Sequence, residues 1–247
     1  MPEHEVWLTQ LFNKYLAGLG NWLLSLFNLH AHHPTRPWTN FITMQIVVAA
    51  VIVVVFAILR PRLSVDRPGK MQLSFETIFS FLKGEASDNI GHDGPKFLPF
   101  LGTLFIFILF SNLIGIIPGF ESPTMNPSVP AGCAVLVFVY YNFMGFKQQG
   151  VFGYMGHFAG PIWWLAPLML PIELVSHMAR PLSLTIRLFA NMLAGEKVTL
   201  AFLGLTYLIV PAVFMGLHVF VSFLQAYIFV LLTMIYLSET VPHEQHS

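Results

Sequence analysis

Apolar residues fall along this chain in long runs, and the polar positions that interrupt them are few and regularly placed. Phe41 to Leu59 carries only Thr43 and Gln45 as polar residues before Arg60 and Pro61 end it. Phe97 to Ile117 is a second run, with Ser111 and Asn112 late in it, and Ala131 to Phe146 a shorter third. A helix of about 20 predominantly apolar residues spans a bilayer, so each run predicts a membrane crossing. Two other stretches alternate at helical spacing instead. Val6 to Leu29 repeats Leu8, Phe12, Tyr15, Leu19, Trp22 and Leu26, and Met71 to Asn89 sets Leu73, Phe75, Ile78, Phe79 and Leu82 against Glu76, Lys83 and Glu85. Both predict amphipathic helices on the membrane surface. Lys147 to Trp164 is Gly-rich and aromatic, and reads as a loop or interfacial segment with Trp163 and Trp164 at headgroup level.

Beyond it, helicity can persist from about Leu165 to Leu203. Gly204 offers a C-terminal cap, and Pro211 suits the first turn of a last helix that runs to Leu237. The first helix of this hairpin would measure nearly 60 Å at about 1.5 Å per residue, against a hydrocarbon core of about 30 Å. It is therefore expected to tilt strongly, bend at Pro171 and Pro181, or both. The expected class is an all-α polytopic membrane protein with five transmembrane helices. It forms a single membrane domain over 1–247: an interfacial segment (1–40), three spans with a cytoplasmic amphipathic helix (41–147), and a long tilted hairpin (163–238).

Composition agrees: 55% of the 247 residues are apolar and 10% charged, against about 25% charged in a soluble domain. The net charge of +0 gives no electrostatic footprint for nucleic acid. Cys133 is single, so no intramolecular disulfide is possible. His30, His32 and His33 have no carboxylate or cysteine nearby to complete a metal site and read as a solvated loop. The N-terminus lacks a basic leader before a short apolar core, so no cleaved signal peptide is expected. Arg60, Arg62, Arg67, Lys70, Lys83, Lys96 and Lys147 would share one side of the membrane, and Lys14, Arg36 and Lys197 the other. Seven basic residues against three place the first group in the cytoplasm, the N-terminus outside and the C-terminus inside.

The hairpin carries the chemistry. Pro171 to Lys197 is apolar enough to cross a membrane, yet contains Glu173, His177, Arg180, Arg187, Asn191, Glu196 and Lys197. Each charge at the bilayer centre costs about 2.5–3.5 kcal/mol on insertion scales, so these residues face protein or water. Glu173, His177, Arg180, Arg187 and Asn191 fall on one helical stripe, and Glu196 points elsewhere. On the last helix, His218, Ser222, Gln225 and Tyr236 share a face. Folding the hairpin about Thr206 sets Arg187 level with Gln225, Glu196 near His218, and Glu173 near Glu239. Two polar stripes then face one cavity, with Glu196 and His218 in its outer part, Glu173, His177 and Tyr236 in its inner part, and Arg187 between. Glu and His in buried sites exchange protons near neutral pH, whereas Arg stays charged and opposes a direct leak. Arg180 can alternatively snorkel or pair with Glu173, His177 can serve as a packing residue, and Gln225 can serve as glue between helices.

RLFANMLAGE, Arg187 to Glu196, closely resembles the signature of subunit a of the F-type ATP synthase membrane sector. The match extends to PIELVSHMARPLSL before it, LQAYIFVLLTMIYL after it, PGK at Pro68 to Lys70, and SNLIGIIPG at Ser111 to Gly119. The resemblance implies a proton-conducting stator in the bacterial inner membrane. In that family two offset half-channels lead protons to and from the carboxylates of a rotating c-ring. It implies that Arg187 is the barrier that meets those carboxylates, that Asn191, Glu196, His218 and Gln225 belong to the outer half-channel, and that Glu173 belongs to the inner one. It also implies assembly with the c-ring and the peripheral-stalk subunit b into a complete F0F1 complex. The Gln225 face is expected to meet the rotor. Some family members carry an acid in the second span where this chain has Gly115.

No cofactor is expected, and no catalytic site of its own: GxxxxGK[ST], HExxH and GxSxG are all absent. An ion-coupled transporter would need a substrate site at broken helices in paired repeats, and no internal repeat is visible.

Overall fold

A computed structural model describes residues 6–26, 36–65, 68–117, 119–159, 166–205 and 209–240. The described residues form helices and turns without a strand. Seven helices follow in order: α1 Trp7–Leu26, α2 Asn40–Leu59, α3 Lys70–Ile90, α4 Leu98–Leu113, α5 Ser128–Ala159, α6 Ala166–Leu205 and α7 Ile209–Ser238. The histidines at 30, 32 and 33, the tryptophans at 163 and 164, and both chain ends lie outside the described residues.

Four segments are long and apolar enough to cross a membrane: Asn40–Arg62, Gly94–Ile116, Ser128–Gln148 and Ala212–Ser238. They account for four of the five expected spans. The remaining one, α6, runs for 40 residues, about 60 Å of helix, and owes its lower apolarity to the charges already noted. Pro171 and Pro181 both lie inside it. With no N–H on Pro181, the carbonyl of His177 cannot take its helical bond from that residue. α2 is the most apolar span, and only 22% of its best window is buried within the chain. Its exposed Val51, Val53, Val54 and Ile58 give it a lipid-type face.

Two expectations change. The stretch after Lys147 is helical to Ala159 rather than a loop, with a break at Gly150, whose φ of 73° L residues other than glycine rarely adopt. The second difference concerns α3. It has the predicted bounds within a residue, but it is also packed: Leu82, Ala86 and Ile90 are buried against α4 and α7. Glu85 accepts a hydrogen bond from the Tyr227 hydroxyl at 3.1 Å, fixing α3 to α7.

The core lies where α4 packs on α7, α5 on α6, and α6 on α7. Each helix contributes a stripe at three- and four-residue spacing: Leu101, Leu104, Phe105 and Ile108 from α4; Leu184, Leu188 and Met192 from α6; Ala226, Phe229, Val230, Met234 and Leu237 from α7. These stripes hold the polar faces of α6 and α7 in register. α1 is fastened to the start of α2. Asn13 donates to the Trp38 carbonyl at 3.1 Å and accepts from its N–H at 3.0 Å. The Val6 N–H donates to Asn40 Oδ1 at 3.3 Å.

Candidate functional site: the polar hairpin

Three contacts define the register of the α6–α7 hairpin. Asn191 Nδ2 donates to Gln225 Oε1 at 2.9 Å. Arg180 forms an ion pair with Glu239 at 2.5 Å, and Phe202 stacks on Phe214 with ring centroids 4.4 Å apart. Gln225 is therefore level with Asn191, not with Arg187, and Glu239 is level with Arg180, not with Glu173. The helices sit about one turn from the register obtained by folding the sequence symmetrically about Thr206. Arg180 is accordingly paired with Glu239 rather than with Glu173, and its guanidinium also lies over the Tyr236 ring, 5.1 Å from the centroid.

Gln225 is only 2% exposed. It points into the α6–α7 interface and not outward, so the expectation that its face meets a partner does not fit this arrangement. Its Nε2 has no hydrogen-bond partner among the described residues, and neither do the buried Ser111 Oγ, Ser222 Oγ and His218 Nε2.

His218 packs against α6 at Gly195. A Cβ on Gly195 would lie 3.0 Å from His218 Nδ1, so the absence of a side chain is what lets His218 reach the residue next to Glu196. Beside it is a cavity of about 180 Å³ lined by Ala194, Gly195, Val198, Thr199, Leu217 and His218 among others. Gly195→Val should displace His218 and cut proton-driven ATP synthesis several-fold, while Gly195→Ala costs about 1–3 kcal/mol in overpacking, partly offset by the better helix propensity of alanine. Synthesis rates in membrane vesicles and thermal melting of the purified complex would measure the two effects.

At the other end, His177 is 7% exposed and packs into α5. Its Nε2 lies 3.0 Å from Asn142 Oδ1 and 3.3 Å from the Tyr141 hydroxyl. The amide oxygen only accepts, so Nε2 carries the proton in this arrangement. The Tyr141 ring lies 6.0 Å from that of Tyr236, which joins α5 and α7 to this cluster. Glu173 is half-buried one turn before His177 on α6. Tyr141 and Asn142 gave no signal in the sequence, because they lie inside an apolar span whose polar residues follow no stripe.

A second polar group missed by periodicity fills the junction of α4, α7 and the 119–127 loop. Thr124 Oγ1 donates to Asn112 Oδ1 at 2.7 Å, Asn112 Nδ2 to the Ser222 carbonyl at 3.4 Å, and Ser122 Oγ to the Ser111 carbonyl at 2.7 Å. The signal available was the pair Ser111 and Asn112 late in the second span. Gly115 lies against the same loop: a Cβ there would come within 2.8 Å of the Ser122 Cβ and 3.1 Å of its backbone nitrogen, so position 115 has no room for an acid.

Arg187 stands apart from all of this. Its Nη2 reaches Ser183 Oγ at 3.4 Å, and it forms no ion pair among the described residues. It is half-buried, and Ser183, Ala190, Asn191 and Ala194 around it on the same side of α6 are exposed. A permanent cation thus lies at the open edge of a membrane helix, in a strip of small residues that lets another helix approach closely. Glu196 lies on one side of it along α6 and Glu173 on the other.

The family model for the ATP synthase A chain matches residues 41–238. The chain is 64% identical over 234 residues to the ATP synthase subunit a of Solibacter usitatus (strain Ellin6076), covering 95% of this chain and 100% of that protein. It is 46% identical over 243 residues to the ATP synthase subunit a of Koribacter versatilis (strain Ellin345), covering 98% and 99%. A third relative of that name, from Trichlorobacter lovleyi (strain ATCC BAA-1151 / DSM 17278 / SZ), is 39% identical over 227 residues, covering 92% and 94%.

Proposed function

This chain belongs to the ATP synthase A chain family, and from that premise we propose that it is the stator through which protons cross the F0 sector of a bacterial ATP synthase. It is a multi-pass protein of the inner membrane, one membrane domain over 1–247, with its N-terminus outside and its C-terminus in the cytoplasm. It assembles with a ring of c subunits and the peripheral-stalk subunit b into the F0F1 complex. ATP chemistry belongs to other chains of that complex.

The observation that carries this reading is the unpaired Arg187 on an open face of α6. A cation held in a membrane without a carboxylate partner among the described residues calls for one from another chain, and the small residues around it suit a partner that slides past. The ring carboxylate is that acid. Beside Arg187 it ionises; away from it, it takes a proton and can enter lipid. Asn191, one turn along, is held by Gln225 and helps to orient the guanidinium.

Protons reach the ring through an outer half-channel at the Glu196 end. Glu196, His218, Gln225 and Asn191 belong to it, with the 180 Å³ cavity beside His218. They leave through an inner half-channel at the Glu173 end, with His177 and Tyr236. The Arg180–Glu239 pair fastens α6 to α7 there, so the inner mouth keeps its width as the ring turns.

Thiol accessibility tests the assignment. In membranes of known sidedness, a cysteine at position 196 should react with a membrane-impermeant reagent added outside, and a cysteine at position 173 with the same reagent added on the cytoplasmic side. Reaction of both from one side alone would end the two-half-channel reading.

A further inference from the structure

One acid near the outer polar group has no place in the mechanism so far. Glu121 follows the α4 span in the loop that leads to α5, and it is half-buried. Asn40, the first residue of α2, donates from Nδ2 to Glu121 Oε2 at 3.1 Å. The other end of that amide is occupied, since Asn40 Oδ1 accepts from the Val6 N–H at 3.3 Å. With its oxygen so engaged, the amide presents its NH₂ to the carboxylate. Three elements thus converge to hold one loop carboxylate in place.

The turn that follows Glu121, at Pro123–Met125, packs against α6. The charge of Glu121 acts on Glu196, and Lys197 acts on it from the same helix. The next residue, Ser122, enters the Thr124–Asn112–Ser222 network. Close by in that network, Ser111 Oγ and Ser222 Oγ are buried without partners, as are His218 Nε2 and Gln225 Nε2 on α7. Hydroxyl and imidazole groups of this kind can relay protons. The charged and titratable groups facing this region among the described residues are Glu196 and Lys197 from α6 and His218 from α7.

We propose that Glu121 is a second proton-carrying carboxylate of the outer half-channel, positioned by Asn40 and passing protons to Glu196. This rests on the half-channel reading given above. A proton from outer water binds the Glu121 carboxylate and then moves to the Glu196 carboxylate, directly or through water, which returns Glu121 to its ionised form.

The test uses the complete complex in proteoliposomes driven by an imposed proton gradient. Glu121→Gln keeps shape and removes the proton site, and should lower ATP synthesis by about tenfold or more, with the amount of assembled complex unchanged. Glu121→Asp should recover a large share of the rate. Glu121→Gly should be slow and should speed up, with saturation, on adding formate, a small acid that can stand in for the missing carboxyl. Wild-type synthesis in the glutamine variant overturns the proposal. A slow glycine variant that formate does not rescue, with aspartate as slow as glutamine, also overturns it, because the residue is then structural. Loss of assembly in all three variants assigns Glu121 to bracing Asn40 and overturns it equally. Arg187→Ala runs alongside: if that variant synthesises ATP normally, the stator reading itself has failed, whatever Glu121 does.

Discussion

Replacing Arg187 with alanine abolishes proton-driven ATP synthesis and leaves a passive proton leak. Two effects combine in the proposed mechanism. The ring carboxylate would lose the cation that favours its ionised form. Removing one member of a buried charge pair costs about 3–5 kcal/mol, so proton handover at the ring should fall by more than about a hundredfold. The half-channels also lose the fixed positive charge that separates them. Across 100 mV each proton carries about 2.3 kcal/mol, and this energy turns the rotor only if protons cannot bypass it. Lysine in place of Arg187 keeps a charge but not the planar five-donor fork, and a buried ammonium can lose its proton. Arg187→Lys is therefore also expected to fail in synthesis. Synthesis and proton conductance in vesicles, with assembly confirmed, measure both variants. Coupled synthesis in the alanine variant would remove the barrier, and synthesis in the lysine variant alone would show that charge suffices.

The parts of this fold legible in the sequence are those set by one helix at a time. The apolar runs of α2, α4 and α7 located the spans within a few residues, because lipid rewards apolarity at every position. The charged stripe of α6 was legible for the converse reason: charges in a membrane helix must face protein or water. What could not be read depends on two helices at once. The hairpin register does not follow from the midpoint of the turn. It is set instead by particular pairs, Asn191 with Gln225 and Arg180 with Glu239, which a count of residues does not rank above neighbouring alternatives. Gln225 lies in the interior because its face packs on α6, where its Oε1 accepts from Asn191. The Asn40–Glu121 bond joins residues 81 positions apart, and neither is on a periodic stripe. The helix beyond Lys147 was hidden by its glycines, which lower helix propensity without forbidding helix where packing supports it.

A tryptophan at Ala190 should stop the rotor without opening a leak, the opposite signature to Arg187→Ala. Ala190 lies three residues past Arg187 on the exposed strip with Ser183, Asn191 and Ala194. If ring helices slide past this strip in close contact, an indole there adds well over 100 Å² of side chain in a gap sized for a methyl group. The ring then either jams or is held away from Arg187. In either case synthesis should drop by about tenfold or more, since overpacking a tight contact costs about 1–3 kcal/mol and each 1.36 kcal/mol is a factor of ten in rate. The guanidinium remains, so membranes should stay proton-tight. Ala190→Ser, which adds one small group, should be tolerated. Tryptophan at Val53, 67% exposed on the lipid-type face of α2, serves as the control for mere bulk and should leave synthesis near wild type. Rates of synthesis and collapse of an imposed pH gradient in the same vesicles separate a jam from a leak. Wild-type synthesis in Ala190→Trp would mean that this strip faces lipid, and the rotor contact would have to be sought elsewhere on α6.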